Sequence, residues 1–255
     1  MNSRYAEQST ADPRTAELTE SLSAVERRIT RAVEAAGREQ RPELIVVTKY
    51  FPAEDVIRLY DLGVRDVGEN KDQEASAKAR EVAQALRARD AQAYDADPLR
   101  WHFIGQLQSN KAKSVAGYAH AVHSVDRGSL LKGLKKVAAE RAEPLGCLIQ
   151  VDLREQVEEG ARGGAAPEEV PALAAGISEA QGLRLAGLMA VAPLGEPAEE
   201  AFARLSRLHA ELLAEHPQAG MVSAGMSGDL EQAVAHGATH LRIGRDVLGE
   251  RPYAR

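Results

Sequence analysis

Eight short apolar runs, each separated from the next by a stretch with helical periodicity, constrain this chain more than any other feature. The runs lie at 44–49, 64–68, 101–105, 120–125, 146–153, 183–192, 221–226 and 239–244. Brief apolar runs rich in β-branched residues read as buried strands. Between them, apolar positions recur three and four apart, as in Leu130, Leu131, Leu134, Val137 and Ala138, or Phe202, Leu205, Leu208 and Leu212. Strands that alternate with helices form parallel sheets with helical crossovers. Eight repeats favour closure into a ring over an open doubly wound sheet.

The expected fold is therefore α/β, a single-domain (β/α)8 TIM barrel. An extra N-terminal amphipathic helix precedes it at 16–38, with Leu18, Leu22, Val25 and Ile29 on one face. Residues 1–15 are polar and aperiodic, and are expected to form a disordered arm before a barrel domain at 16–255. Residues 90–99 and 154–166 read as loops, and Val247-Leu248-Gly249 as a tail.

Bulk properties narrow the function. A net charge of -6 supplies no basic field for nucleic acid or an anionic membrane. No apolar run reaches spanning length, and the N-terminus lacks a secretory pattern. The single cysteine, Cys147, lies inside an apolar run and reads as a buried structural thiol. The histidines show no metal-ligand spacing, and the glycines form neither a dinucleotide fingerprint nor a P-loop. These features suit the cytoplasm.

In barrels of this kind reactive groups sit where strands hand over to the following loops. The unusual polar residues fall there: Lys49 after strand one, Asn70 after strand two, Asp126 after strand four, Ser227 after strand seven, Arg242 and Gly244 at strand eight. An amine at the mouth of a buried strand either pairs with an anion, becomes a nucleophile, or snorkels to solvent. Ser227 and Gly228 precede a helix and offer a hydroxyl and backbone N–H groups to an anion; Gly244 lets the backbone approach a ligand closely. Singly, each has a plainer reading: Ser227 with Asp229 as a helix cap, Gly244 as a turn, Arg242 as a rim salt bridge, Asn70 as a cap, His102 as a satisfied core histidine. Together, an amine facing a phosphate cup points to pyridoxal 5′-phosphate (PLP), its aldehyde on Lys49 and its phosphate at strands seven and eight.

Several motifs then coincide: Val46-Val-Thr-Lys-Tyr-Phe-Pro52, Val67-Gly-Glu-Asn70, Trp101-His-Phe-Ile-Gly-Gln-Leu-Gln-Ser-Asn-Lys111, His123-Ser-Val-Asp126, Gly187-Leu-Met189, Gly225-Met-Ser227 and Arg242-Ile-Gly244. In these the chain resembles the pyridoxal phosphate homeostasis proteins, over about residues 20–249. The resemblance implies a fold type III barrel like the N-terminal domain of alanine racemase, with PLP as a Schiff base on Lys49. It implies that Ser227, Gly244 and the N–H of Arg245 hold phosphate, and that Arg242 faces the pyridine nitrogen, with Asn70 near the ring oxygen. It implies storage, buffering or delivery of PLP without established turnover. Two positions depart from the family pattern: Lys71 replaces an aromatic after Gly-Glu-Asn, and Arg245 replaces a Thr after Arg-Ile-Gly.

Three functions follow. The first is a PLP carrier or regulator, acting as a monomer, with PLP-dependent apo-enzymes as recipients and no nucleic acid or membrane partner. The second is a PLP-dependent amino-acid racemase-like enzyme, which needs a second base. The third is a phosphosugar-binding barrel in which Lys49 is an electrostatic clamp. The glycine-rich stretch 160–164 is expected to be a mobile loop over the site.

Overall fold

The computed structural model describes residues 12–154 and 164–251. Residues 1–11 of the expected arm, and 160–163 of the expected cover loop, lie outside the described residues. Eight parallel strands close into a barrel in chain order: β1 (Glu43–Val47), β2 (Asp66–Glu69), β3 (Arg100–Phe103), β4 (Ala121–Val125), β5 (Leu145–Gln150), β6 (Leu183–Met189), β7 (Met221–Ser223) and β8 (His240–Ile243), which pairs back onto β1. The helices are α1 (Pro13–Ala35), α2 (Ala53–Asp61), α3 (Asp72–Ala96), α4 (Ala112–Ala116), α5 (Gly128–Ala138), α6 (Val170–Ser178), α7 (Ala198–Glu215), α8 (Leu230–Ala235) and α9 (Arg245–Leu248).

Strand parity sorts the side chains into two layers. In β3, Trp101 and Phe103 join the apolar layer under the helices, while His102 points into the ring. In β8, Leu241 and Ile243 face outward and Arg242 inward. In β1, Val46 packs outward, which gives Lys49 the inward parity of Ile45 and Val47. The outer layer is one continuous apolar cluster that reaches α1 through Leu18, Val25 and Ile29. Inside the ring the apolar cluster is small: Ala121, Leu148, Ala186 and Met189.

Three sequence expectations are corrected. The leading helix starts at Pro13 rather than 16, so residues 12–15 are not a disordered arm. Asp12 caps it, Pro13 suits its first turn, and the Arg14 guanidinium is held by Asp55 at 2.9 Å. Residues 90–96 are helical rather than loop: α3 breaks at Asp90 (φ -157°), whose carboxylate then caps the Ala93 N–H at 2.9 Å and restarts the helix. The expected tail is the short helix α9, whose Val247 and Leu248 are buried under α1.

Candidate functional site

β1 delivers Lys49 to the C-terminal rim, and the chain then turns sharply. Tyr50 takes a left-handed conformation (φ 72°), which is strained for a bulky residue, and Phe51 N–H closes the turn onto Thr48 O at 3.1 Å. Lys49 is half-buried, not fully desolvated. Its Nζ lies 5.9 Å from the centre of the Tyr50 ring, which also carries Lys71 Nζ at 5.3 Å and the Arg251 guanidinium at 5.0 Å. Three cations around one aromatic ring use the negative quadrupole of its faces. Lys71, at the first departure position, also pairs with Glu74 at 3.1 Å.

A cleft of about 690 Å³ opens at this rim. Lys49, Ser227, Arg242, Gly244 and Arg245 all line it. The structure thus brings together five of the six residues expected at the site. Asn70 stands on the same rim, but it is not among the cleft-lining residues; its Oδ1 is buried without a partner. Gly105 packs directly on the Asn70 backbone, where an added Cβ would come within 2.1 Å of the Asn70 carbonyl oxygen. The basic residues Lys49, Arg242, Arg245 and Arg251 face one carboxylate, Glu250, so the cleft favours an anion.

The strand-seven and strand-eight loops form the end of the cleft that could hold an anion. Asp229 does not cap α8 with its side chain; the carboxylate turns back to the Met226 N–H at 2.6 Å. That leaves Ser227 and Gly228 on the cleft wall. Gly244 precedes α9, which has no side-chain cap, so the first N–H groups of that helix have no helical partner. A Cβ on Gly244 would press to 3.2 Å of the Val47 carbonyl oxygen, which explains a glycine between β8 and β1. Arg28 of α1 ties both loops together: Nη1 donates to Ser227 O at 2.8 Å and to Asp246 at 2.9 Å, while Nε donates to Glu231 at 2.6 Å. The sequence carries no local signal for this clamp, because its partners are about two hundred residues away.

Arg242 is buried inside the ring. It donates to Ser223 Oγ at 2.7 Å and to Ala190 O at 2.9 Å. Burial pushes its guanidinium down to about 10, still cationic at neutral pH. Below it, Ser223 contacts His123 at 2.9 Å, His123 contacts His102 at 2.8 Å, and His102 contacts Asp66 at 2.9 Å. His102 is thus a satisfied core histidine, as its strand alternation implies. Burial keeps His123 well below the ordinary histidine range. Burial works against the Asp66 carboxylate, but hydrogen bonds from His102 and Arg100 outweigh it and hold the group well below its usual range.

Outside the ring and under Lys49, Lys78 of α3 donates to Glu69 at 2.6 Å and to Thr48 O at 2.9 Å, and Thr48 Oγ1 donates to Glu69 at 2.8 Å. This buried triad braces the end of β1. Cys147 is fully buried and burial pushes its thiol up to about 12, as expected of a structural thiol.

Comparison with known proteins gives a consistent picture. Residues 21–252 match the family described as alanine racemase, N-terminal domain. The pyridoxal phosphate homeostasis protein of Mycobacterium bovis is 44% identical over 248 residues, 93% of this chain and 94% of that one. Among solved structures, an unknown protein from Bifidobacterium adolescentis superposes with a TM-score of 0.82 at 31% identity, covering 92% of this chain and 96% of that one. PipY of Synechococcus elongatus, solved with PLP bound, gives 0.71 at 31% identity, covering 91% and 100%.

Proposed function

The chain belongs to the pyridoxal phosphate homeostasis proteins, on the alanine racemase N-terminal domain fold, and from that premise we propose that it binds PLP and acts in PLP homeostasis. The observation that carries the reading is that Lys49, Arg242, Ser227, Gly244 and Arg245 line one cleft. Its donor set fits the cofactor: a primary amine for an aldehyde, a buried guanidinium for an aromatic nitrogen, and a hydroxyl with uncapped N–H groups for a phosphate.

In this reading Lys49 is the point of covalent attachment. Ser227 and the N–H groups of Gly244 and Arg245 hold the phosphate, and Arg28 keeps the two loops that carry them at a fixed separation. Arg242 faces the ring nitrogen. When bound, PLP supplies an electrophilic aldehyde carbon and an aromatic ring that withdraws electrons. A guanidinium opposite the ring nitrogen keeps that nitrogen unprotonated, which limits the withdrawal and favours holding the cofactor over general carbanion chemistry. Arg245, exposed on the cleft wall, adds charge where the family has a hydroxyl. Asn70 serves the site from outside the cleft wall, by fixing the rim against Gly105.

The finer reading is a monomeric cytoplasmic carrier that passes PLP to PLP-dependent apo-enzymes. Its support is the relatives' name, which points to handling of the cofactor; no helix among the described residues is long and apolar enough to cross a membrane. The cofactor reading is tested by titrating the purified chain with PLP and recording its absorbance, then adding borohydride and measuring mass. The expected result is a new absorbance band and a stable adduct on Lys49, both lost in Lys49→Ala. No band at excess PLP, or an adduct elsewhere, sinks the reading.

A further inference from the structure

A line of hydrogen bonds crosses the barrel interior from one rim to the other. It starts at Asp66 on β2, at the rim opposite Lys49, where Arg100 holds the carboxylate at 2.5 Å. It passes through His102 on β3 and His123 on β4, crosses the ring to Ser223 on β7, and ends at Arg242 on β8. Asp66, His102, His123, Ser223 and Arg242 are all buried. The homeostasis reading assigns a role only to the last of them.

With Asp66 ionised and both histidines neutral, the line has one permitted direction. A guanidinium has no acceptor, so Arg242 donates to Ser223 Oγ. On this assignment the Ser223 proton goes to its other partner, His123 Nδ1. A histidine that accepts at Nδ1 carries its proton on Nε2, and donates it to His102 Nδ1. His102 in turn carries its proton on Nε2 and donates to Asp66, which as a carboxylate only accepts. Reading from the Asp66 end gives the same assignment. Two protons between His102 and His123, or none, would be incompatible with 2.8 Å. The line therefore runs from a buried cation to a buried anion with every dipole aligned, an arrangement in which each bond polarises the next.

We propose that Asp66, His102, His123 and Ser223 are positioning residues for Arg242, fixing its guanidinium against the cleft through this one-way chain. The proposal deepens the cofactor reading and rests on it. The chain and the Ala190 carbonyl use two of the five N–H groups of Arg242, whose side chain also lines the cleft. An arginine held at both nitrogens this way cannot swing out of the cleft wall when a ligand enters or leaves. His120 and His240, together with Arg100, face the His102 end of the line, and burial keeps both histidines below their ordinary range, which limits further charge there.

Two measurements test it. The first uses the chain without cofactor: nitrogen-15 spectra of the histidine rings should show His102 and His123 both as neutral Nε2–H tautomers. An imidazolium or an Nδ1–H tautomer at either residue overturns the proposal without touching the cofactor reading. The second is the PLP titration. Ser223→Ala removes the acceptor of Arg242 and is expected to weaken PLP binding about tenfold and shift the band of the bound cofactor. Ser223→Thr keeps the hydroxyl and should restore both. Asp66→Asn, isosteric and at the far rim, lets the amide turn either way; it should mix the tautomers of His123 and weaken binding about threefold. Unchanged affinity and band in folded Ser223→Ala and Asp66→Asn would mean that the chain is only structural. A wild-type chain that takes up no PLP removes the cofactor reading itself, a result separable from unchanged variants of a PLP-binding wild type. Should the variants fail to fold, the wild-type tautomers decide.

Discussion

The inside of the strand ring and the layer between ring and helices are filled by opposite means. The outer layer is a continuous apolar cluster with side chains such as Phe202, Leu134, Trp101 and Leu59. The inner space holds a few small or flexible apolar groups and the polar series from Asp66 to Arg242. Apolar packing has no direction, so the outer layer fixes where strands and helices lie but not which way any one group faces. Hydrogen bonds do have direction, and the inner series orients a group at the cleft. One layer holds the fold, and the other aims a cation within it.

The contrast makes ordered predictions. The largest effect belongs to the outer layer. Phe202→Ala should cost about 3–5 kcal/mol in a denaturant melt, through lost burial and a residual cavity. If the layers are separate, PLP affinity of the folded fraction should stay unchanged; a parallel loss of affinity would break the contrast. Next is the exception, the buried Glu69–Lys78 pair in the outer layer. Lys78→Met should cost roughly 3 kcal/mol by leaving a buried carboxylate uncompensated, and Glu69→Gln added to it should recover most of the loss. Failure of the double variant to recover would show that the pair is not acting as a unit.

The inner layer predicts a dependence on acid. His123 lies well below its ordinary range and His240 at about 4, both because of burial. Their folded values are below the unfolded value of about 6.5, so the unfolded chain binds more protons between the two. Stability from this source is complete above pH 6.5 and falls as pH drops from about 6.5 toward 4. By pH 5 the loss should be roughly 1–2 kcal/mol for His240, with His123 acting in the same direction, visible as a lower melting temperature. A flat melting temperature from pH 7 to 5 would contradict a neutral buried pair. The smallest effect concerns Arg28. Arg28→Ala should cost about 1 kcal/mol of stability, yet weaken PLP binding several-fold, because the partly exposed clamp orders two loops more than it supports the core. Equal losses in both would place Arg28 with the outer layer instead.

Much of this was legible from residues alone. Alternating strand and helix patterns gave the ring, and the position of Lys49, Ser227, Arg242 and Gly244 at strand ends gave the cleft, because local periodicity determines both. Besides the Arg28 clamp, three parts were not legible, each for a physical reason. The helix at 90–96 restarts on a side-chain cap from Asp90, which looks like a loop residue in sequence. The helix after β8 is too short to show a period. The interior line joins residues up to about a hundred positions apart, and no spacing rule pairs His123 with Ser223. Its one visible trace is a histidine at an inward position in each of two consecutive strands, 102 and 123.

The first helix also has a bearing on synthesis. Arg14 reaches the Leu248 carbonyl, and Arg28 reaches Ser227 and Asp246, so a helix made before the first strand braces segments made after the seventh and eighth. A nascent chain interrupted before residue 227 already carries the Lys49 amine but lacks the Ser227, Gly244 and Arg245 wall of the cleft. On the proposed cofactor role, a chain that stops short of the eighth strand is therefore expected to hold the aldehyde less firmly than the finished barrel.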